Sequence, residues 1–224
     1  MAVQRTNTCR SHGHPEFQIA YDQALIPVED DVHWFIGWLE NSVAQGKRIT
    51  PGQTCQVGWI VTEVRLGESG SLSLWEPDMR QVPVVWTESV TNTLAHLRLQ
   101  KDVVESVLSA SDLSFPSMLQ SSIVCARLGQ TEGLVLERTK PSESDSGWFC
   151  GCRGGNHDHN NAGELRRVSL YEAAVRYAPQ IVPYLALPAG VLIGISGGAP
   201  KVFQDGKPLV FKPESFLAAR HSGR

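Results

Sequence analysis

The chain has 224 residues and a formal net charge of −3, with 42% hydrophobic and 19% charged residues. This composition is typical of a folded globular protein and excludes a disordered or fibrous chain. No apolar run approaches the roughly 20 residues needed to cross a bilayer, so we expect no membrane segment. The length allows one large domain or two small ones, in either case with a substantial hydrophobic core.

The charges are distributed unevenly along the chain. Residues 1–112 carry 8 Lys and Arg against 14 Asp and Glu, a formal charge of −6, while residues 113–224 carry 12 against 9, or +3. An acidic amino-terminal half argues against nucleic-acid binding and favours a basic partner. A solvated acidic surface with no partner is the alternative.

The first sixteen residues are polar and lack the apolar region of a secretory signal. We therefore expect a flexible tail over 1–16 and a cytoplasmic protein. Five cysteines without the spacing of a disulfide framework indicate reduced thiols, and Cys9 in the tail is expected to be the most exposed of them.

The first long element that the sequence predicts is a helix. After a short extended segment at 17–20, Glu29, Asp30 and Asp31 stand where a helix N-terminus favours negative charge. Gly46 then supplies a C-terminal stop. The apolar residues between them recur at helical spacing on one face: Val32, Phe35, Ile36, Leu39 and Val43.

Trp34 and Trp38 are four residues apart on this helix, and Trp34 lies nearly opposite the apolar stripe. If the sheet covers that face, both indoles belong to the core. If it does not, they form an exposed aromatic patch of the kind that partner sites use.

The rest of the amino-terminal half predicts strands followed by a helix. Alternating apolar residues indicate one long strand over 54–64, and a turn at 67–70 makes a hairpin with 72–75. The pattern resumes at 82–86, and an apolar stripe predicts a second helix over 89–109.

Residues 109–117 form the most linker-like stretch of the interior, and we place a domain boundary there. The segments 121–127 and 133–138 are predicted to form a hairpin joined by a turn at 129–131. The remaining predicted elements are a helix opened by the Ser169-x-x-Glu172 capping box and stopped at Pro179, an apolar turn over 181–185, a strand over 190–195, and a last hairpin of 201–204 with 209–211.

The stretch from Asp145 to Asn160 carries the most unusual chemistry. Asp145-Ser-Gly-Trp148 is typical of a tight turn that enters a strand. Cys150, Cys152, His157 and His159 offer thiolate and imidazole ligands for zinc, although Cys-Gly-Cys is closer than the usual pairing of ligands. Glycines after Arg153 could fold the histidines back, whereas exposed loop histidines are the commoner outcome.

Several motifs in this half together resemble a family of small bacterial immunity proteins of polymorphic-toxin and type VI secretion systems. The first motif is a Pro-x-x-x-Asp-Ser-Gly-Trp turn, matched by Pro141 and the segment Asp145–Trp148. The second is an Ala-Pro-x-Ile-x-Pro-Tyr-Leu segment, matched at Pro179, Ile181, Pro183 and Leu185. The resemblance covers about residues 118–211, and the His157-Asp-His159 loop departs from the family pattern, in which an acidic loop is usual.

The resemblance implies a protein that binds and neutralises a cognate toxin, without catalysis or cofactor. Motifs for phosphate binding, dinucleotide binding or a nucleophile elbow are absent from the sequence, which is consistent with that expectation. The alternative is a zinc-dependent enzyme or metal-sensing module built on Cys150, Cys152, His157 and His159. The predicted fold class is α+β, with two sheet-and-helix halves and mainly antiparallel strands. The predicted domains are a tail over 1–16, an α+β domain over 17–112, an immunity-like α+β domain over 118–211, and a tail over 212–224.

A toxin that cleaves nucleic acid must present a basic cleft, so we expect the protein to meet it with acidic residues. Acids gather at the predicted helix start, around Pro77 in a loop that we expect to be exposed, and between the two loop histidines. The predicted contact residues are Asp30, Asp31, Trp34, Trp38, Glu76, Asp78, His157, Asp158, His159 and Asn160. No nucleic acid, membrane or cofactor is expected to bind.

Overall fold

The structure is a computed structural model that describes residues 1–26, 28–128, 133–153 and 157–221. Contacts within the chain divide it into two compact units, Met1–Arg98 and Leu99–Arg224. Each unit contains a sheet with antiparallel and parallel strand pairs, together with helices. The predicted α+β class is confirmed. The division falls within the second helix, before the linker predicted at 109–117.

The sheet of the first unit has the order β1-β2-β5-β4-β3, with β6 paired to the end of β5. Strands β2 and β5 are parallel, and the other neighbours are antiparallel. The strands are β1 Ala2–Arg5, β2 Phe17–Tyr21, β3 Thr54–Val57, β4 Ile60–Leu66, β5 Leu72–Pro77 and β6 Trp86–Thr87.

The first sixteen residues, expected to be a flexible tail, contain β1, which pairs along its length with β2. Cys9 was expected to be the most exposed thiol and is instead fully buried. The Glu16 carboxylate holds this segment in place, since it accepts hydrogen bonds from the Thr6 hydroxyl and the backbone N–H groups of Cys9 and Arg10. The polar composition of the segment does not predict these bonds.

Helix α1 covers Asp30–Ala44, as the apolar stripe and the acidic start predict. Its apolar face packs in the core of the first unit against residues of the sheet. Gly46 follows the last turn with a φ of +89°, a left-handed conformation that favours glycine. The predicted helix and its stop are therefore confirmed.

The single strand predicted over 54–64 is wrong, because the chain turns back within it. Strands β3 and β4 pair antiparallel, with Val57 opposite Ile60, which leaves a two-residue turn at Gly58 and Trp59. Gly58 has a φ of +61° and makes this turn possible. Trp59 is buried and donates its indole N–H to His96 Nδ1 at 3.3 Å.

The strand predicted over 82–86 is reduced to β6, two residues long. Pro83 lacks the N–H group that a paired strand needs, which explains why the apolar residues around it do not extend the ladder. The helix predicted next is confirmed as α2, which covers Thr91–Val107. Ser89 caps it by accepting a hydrogen bond from the Thr91 N–H group at 3.0 Å.

The second unit contains a seven-stranded sheet of order β10-β7-β9-β8-β11-β12-β13. Only β7 and β9 are parallel among the pairs that the structure records. The strands are β7 Ser121–Cys125, β8 Gly133–Arg138, β9 Asp145–Arg153, β10 Leu165–Ser169, β11 Val191–Ser196, β12 Lys201–Gln204 and β13 Lys207–Leu209.

The hairpin predicted between 121–127 and 133–138 is wrong, because β9 lies between β7 and β8 and pairs with both. The turn predicted at 129–131 lies outside the described residues. The last predicted hairpin is confirmed, since β12 and β13 pair around Asp205 and Gly206, both with positive φ.

Half of the predicted capping box is present: the Ser169 hydroxyl accepts from the Glu172 N–H group at 3.0 Å, whereas the Glu172 carboxylate binds Arg176. It opens α3 at Leu170–Glu172, which continues as a π-helical segment over Ala173–Tyr177. The stretch predicted to be a carboxyl-terminal tail contains α4, Phe216–His221, with Leu217 buried. Among the described residues, no helix is long and apolar enough to span a bilayer.

Candidate metal centre and candidate partner surfaces

The turn at Asp145 fixes the start of the strand that carries two cysteines. Asp145 accepts a hydrogen bond from the Gly147 N–H group at 2.8 Å, and its other oxygen binds the Ser121 hydroxyl and Arg167. Burial acts to raise the pKa of Asp145, but these bonds outweigh it and the pKa is lowered. Gly147 has a φ of +76°, and a Cβ there would lie 2.3 Å from the Thr139 carbonyl oxygen. Only glycine fits this position.

The order of the strands brings a third cysteine beside Cys152. Strands β7 and β9 run parallel, so their carboxyl ends, with Cys125 on β7, lie at the same edge of the sheet. Strand β10 pairs with the far side of β7, where Leu165 stands opposite Cys125. The connection from β9 to β10 must therefore cross the end of β7. His157 and His159 lie in that connection.

Four potential ligand atoms converge at this crossing, from Cys125, Cys152, His157 and His159, all within 4.8 Å of one another. The two Sγ atoms are 3.6 Å apart, and the two Nε2 atoms are 3.0 Å apart. His157 Nε2 lies 3.1 Å from Cys125 Sγ and 3.2 Å from Cys152 Sγ, while His159 Nε2 lies 3.6 Å from Cys152 Sγ. We call these four residues the Cys2His2 cluster.

The Cys2His2 cluster is closed to solvent on its sheet side. Both cysteines are buried, and both histidines are half-buried. The His159 ring stands edge-on to the Phe149 ring at 5.5 Å, and a Cβ on Gly151 would collide with Phe149. His157 Nδ1 is buried without a hydrogen-bond partner among the described residues.

The ligand set predicted from the sequence is wrong in one member, because Cys125 stands where Cys150 was expected. Cys150 lies fully buried in the core, two residues before Cys152 on β9, and its burial raises the pKa of its thiol to about 12. The objection that Cys-Gly-Cys spacing is too close does not apply to cysteines on two neighbouring strands. The glycines that were expected to fold the histidines back lie outside the described residues.

The remaining predicted contact residues of the second unit alternate with the two histidines. Asp158 and Asn160 are exposed, whereas His157 and His159 turn inward to the Cys2His2 cluster. Asp158 Oδ1 accepts hydrogen bonds at 2.8 Å from both the backbone and the side-chain nitrogen of Asn160. This local bonding holds a compact turn with one carboxylate on the outside.

In the first unit, the segment around Pro77 is not the exposed loop that we expected. Glu76 is fully buried at the end of β5 and accepts four hydrogen bonds from Asn92 and Thr93 at the start of α2. Asp78 is largely buried, and its hydrogen bonds from Arg80 and then Gln81 hold its pKa well below the usual range. Neither carboxylate is available to a partner in this arrangement.

Some of the predicted contact residues on α1 are exposed, and the others are bound to neighbouring side chains. The Asp30 side chain is 93% exposed, whereas Asp31 is bound by Arg98 through two hydrogen bonds. Trp34 is 51% exposed, so the core interpretation is wrong for this indole. Trp38 is partly buried and stacks on Phe35 with ring centroids 5.7 Å apart. Asp30 and Trp34 remain accessible.

Comparison with known proteins links the second unit to one family. Residues 99–205 match the family model of the Imm33-like domain, an immunity-protein-like family. The match contains β7 to β12 and all four members of the Cys2His2 cluster, and it begins earlier than the resemblance predicted over 118–211. No curated protein and no solved structure matches the chain.

Proposed function

We propose that this protein binds and neutralises a cognate antibacterial toxin in the cytoplasm by direct protein–protein contact. The observation that carries the proposal is the match of residues 99–205 to an immunity-protein-like family. The toxin belongs to a polymorphic-toxin or type VI secretion system in this proposal, and it is a nuclease that presents a basic surface. The protein acts by covering or locking the toxin and performs no catalysis of its own.

The Cys2His2 cluster does not favour the alternative of a metal-dependent enzyme. Catalytic zinc sites keep one coordination position open for water or substrate, whereas structural sites use four protein ligands. The cluster offers four ligand atoms, and both thiols are buried. Because a nucleophilic cysteine must also be reached by its substrate, buried Cys125 and Cys152 are poor nucleophile candidates.

Each unit has its own candidate contact, made of the accessible members of the predicted set. These are Asp158 and Asn160 in the immunity-like unit and, considered separately, Asp30 with the Trp34 indole in the first unit. Exposed carboxylates on a compact turn complement a basic cleft, and an exposed indole is a common anchor at interfaces. Glu76 and Asp78 are left out because their carboxylates are bound inside the protein.

We expect charge reversal at the contact to slow association with the toxin. For Asp158→Lys and Asp30→Lys, the association rate at low salt should fall about tenfold, and the difference from wild type should shrink as salt screens the charges. Surface plasmon resonance with a purified candidate toxin, chosen from neighbouring reading frames that encode a toxin domain, measures the association rate of each variant at low and high salt.

Glu143→Lys and Glu68→Lys are matched controls, since they reverse the charge of exposed glutamates outside the proposed contact. They should associate at nearly the wild-type rate. If all four variants bind like wild type at low salt, the toxin does not use the acidic contact, and the basic residues of the carboxyl-terminal half become the surface to test.

A further inference from the structure

We infer that Cys125, Cys152, His157 and His159 bind one zinc ion as a structural site that fixes the connection between β9 and β10. With Zn–S about 2.3 Å and Zn–N about 2.0–2.1 Å, a tetrahedral site has edges of about 3.8 Å between sulfurs, about 3.5 Å between sulfur and nitrogen, and about 3.3 Å between nitrogens. In the Cys2His2 cluster the two sulfurs are 3.6 Å apart, the two nitrogens are 3.0 Å apart, and three of the four sulfur–nitrogen distances are 3.1, 3.2 and 3.6 Å. The fourth, between Cys125 and His159, lies within 4.8 Å. Five of the six edges thus match a zinc tetrahedron to within about 0.4 Å.

The chemistry of the donor set selects the metal. Two thiolates and two imidazoles in a tetrahedron suit zinc, whereas magnesium and calcium take oxygen ligands. The two cysteines are not a disulfide, because their sulfur atoms are 3.6 Å apart and a disulfide bond is about 2.05 Å long. A shared cation accounts for their approach to one another, with the His157 imidazole directed at both sulfurs and the His159 imidazole at Cys152.

The position of the site gives it a structural role. The ligands come from the ends of two adjacent strands and from the connection that crosses one of them. This connection has few apolar residues to hold it to the sheet, since Asp158, Asn160, Asn161 and Ala162 are all exposed. Zinc would replace the missing hydrophobic contacts and hold Asp158 and Asn160 outward.

The zinc site would also affect toxin binding, an expectation that rests on the proposed function. A toxin that contacts Asp158 would bind the zinc-loaded protein more tightly than the zinc-free protein. The binding of zinc itself does not depend on the toxin. Zinc content and toxin binding therefore test the two proposals separately. A protein with zinc that binds no toxin refutes the function alone, and a protein that binds toxin without zinc refutes the metal site alone.

The experiment is metal analysis of the full chain purified without chelator, by inductively coupled plasma mass spectrometry. We expect about one zinc per chain in the wild type and loss of that zinc in Cys125→Ser. Cys150→Ser is the matched control, because it removes a buried thiol two residues from the site and should keep the zinc. Cys55→Ser, a half-buried thiol in the other unit, is a second control. Circular dichroism checks that each variant is folded.

A second measurement covers the case in which Cys125→Ser fails to fold. Wild-type protein stripped of metal is titrated with Co(II), which should give the visible bands of a tetrahedral complex and a thiolate charge-transfer band, and both should weaken in His159→Asn. A wild-type protein that contains no zinc and takes up no tetrahedral Co(II) would overturn the inference. Loss of zinc from Cys150→Ser together with retention of zinc in Cys125→Ser would also overturn it. The same holds if the purified wild-type protein contains copper or iron in place of zinc.

Discussion

Replacing Trp148 by alanine should lower the free energy of unfolding by about 3–5 kcal/mol, the usual cost of emptying a buried aromatic site. The indole is 1% exposed, and its N–H group donates to the Leu185 carbonyl oxygen at 3.2 Å. The Arg138 guanidinium lies over the ring at 5.5 Å and donates to the same carbonyl. Loss of the indole therefore removes apolar contacts and leaves β9 without its hydrogen bond to the segment that follows α3. Denaturant unfolding measures the change.

Trp34→Ala is the matched control for this prediction. The Trp34 ring is half exposed, so its removal should change the free energy of unfolding by less than about 1 kcal/mol. Trp148→Phe retains most of the apolar volume and loses the N–H donor, and it should fall between the wild type and Trp148→Ala. If Trp148→Ala unfolds at the wild-type denaturant concentration, the indole is not the anchor that the structure indicates.

Replacing Glu76 by alanine should lower the free energy of unfolding by about 2–4 kcal/mol, because it leaves several buried donors without an acceptor at a helix N-terminus. The Thr93 N–H and hydroxyl groups donate to Glu76 Oε2 at 2.7 and 2.8 Å, and the two Asn92 nitrogens donate to Oε1 at 3.0 and 3.1 Å. The carboxylate thus joins the end of β5 to the first turn of α2. Thermal and urea unfolding both measure the loss.

Glu76→Gln keeps the shape of the side chain and removes its charge. Its amide nitrogen would face the donors of either Asn92 or Thr93, so one pair of hydrogen bonds would be lost. We expect it to be destabilised, though less than Glu76→Ala. Glu68→Ala, which removes an exposed carboxylate from the same unit, should change stability by no more than about 0.5 kcal/mol. Equal stability of Glu76→Ala and Glu68→Ala would contradict the capping role.

Local patterns in the sequence predicted those parts of the fold that local interactions determine. Helix α1 follows from an apolar stripe between acidic residues and Gly46, and the turn before Trp148 follows from side chains that bond to their own backbone. The error over 54–64 arose because Gly58 and Trp59 continue the apolar pattern while the backbone reverses there. Alternation alone does not distinguish one long strand from two strands joined by a two-residue turn.

The Cys2His2 cluster could be predicted only in part, since it depends on the order of the strands. Cys152, His157 and His159 are close in sequence, but Cys125 joins them because β9 inserts between β7 and β8. Sequence spacing gives no information about that insertion. Glu76 was misplaced for a similar reason, because its partners at Asn92 and Thr93 lie on a helix that begins fifteen residues later. Acids beside a proline indicate a loop unless a distant group binds them.

Neutralisation of a toxin by direct contact is tested most directly by growth of bacteria that express this protein together with a candidate toxin, chosen from neighbouring reading frames that encode a toxin domain. We predict that the wild-type protein restores growth and co-purifies with the toxin, and that Asp158→Lys restores less growth than Glu143→Lys at equal protein levels. Cells that die as quickly with abundant, folded wild-type protein as without it would contradict the claim.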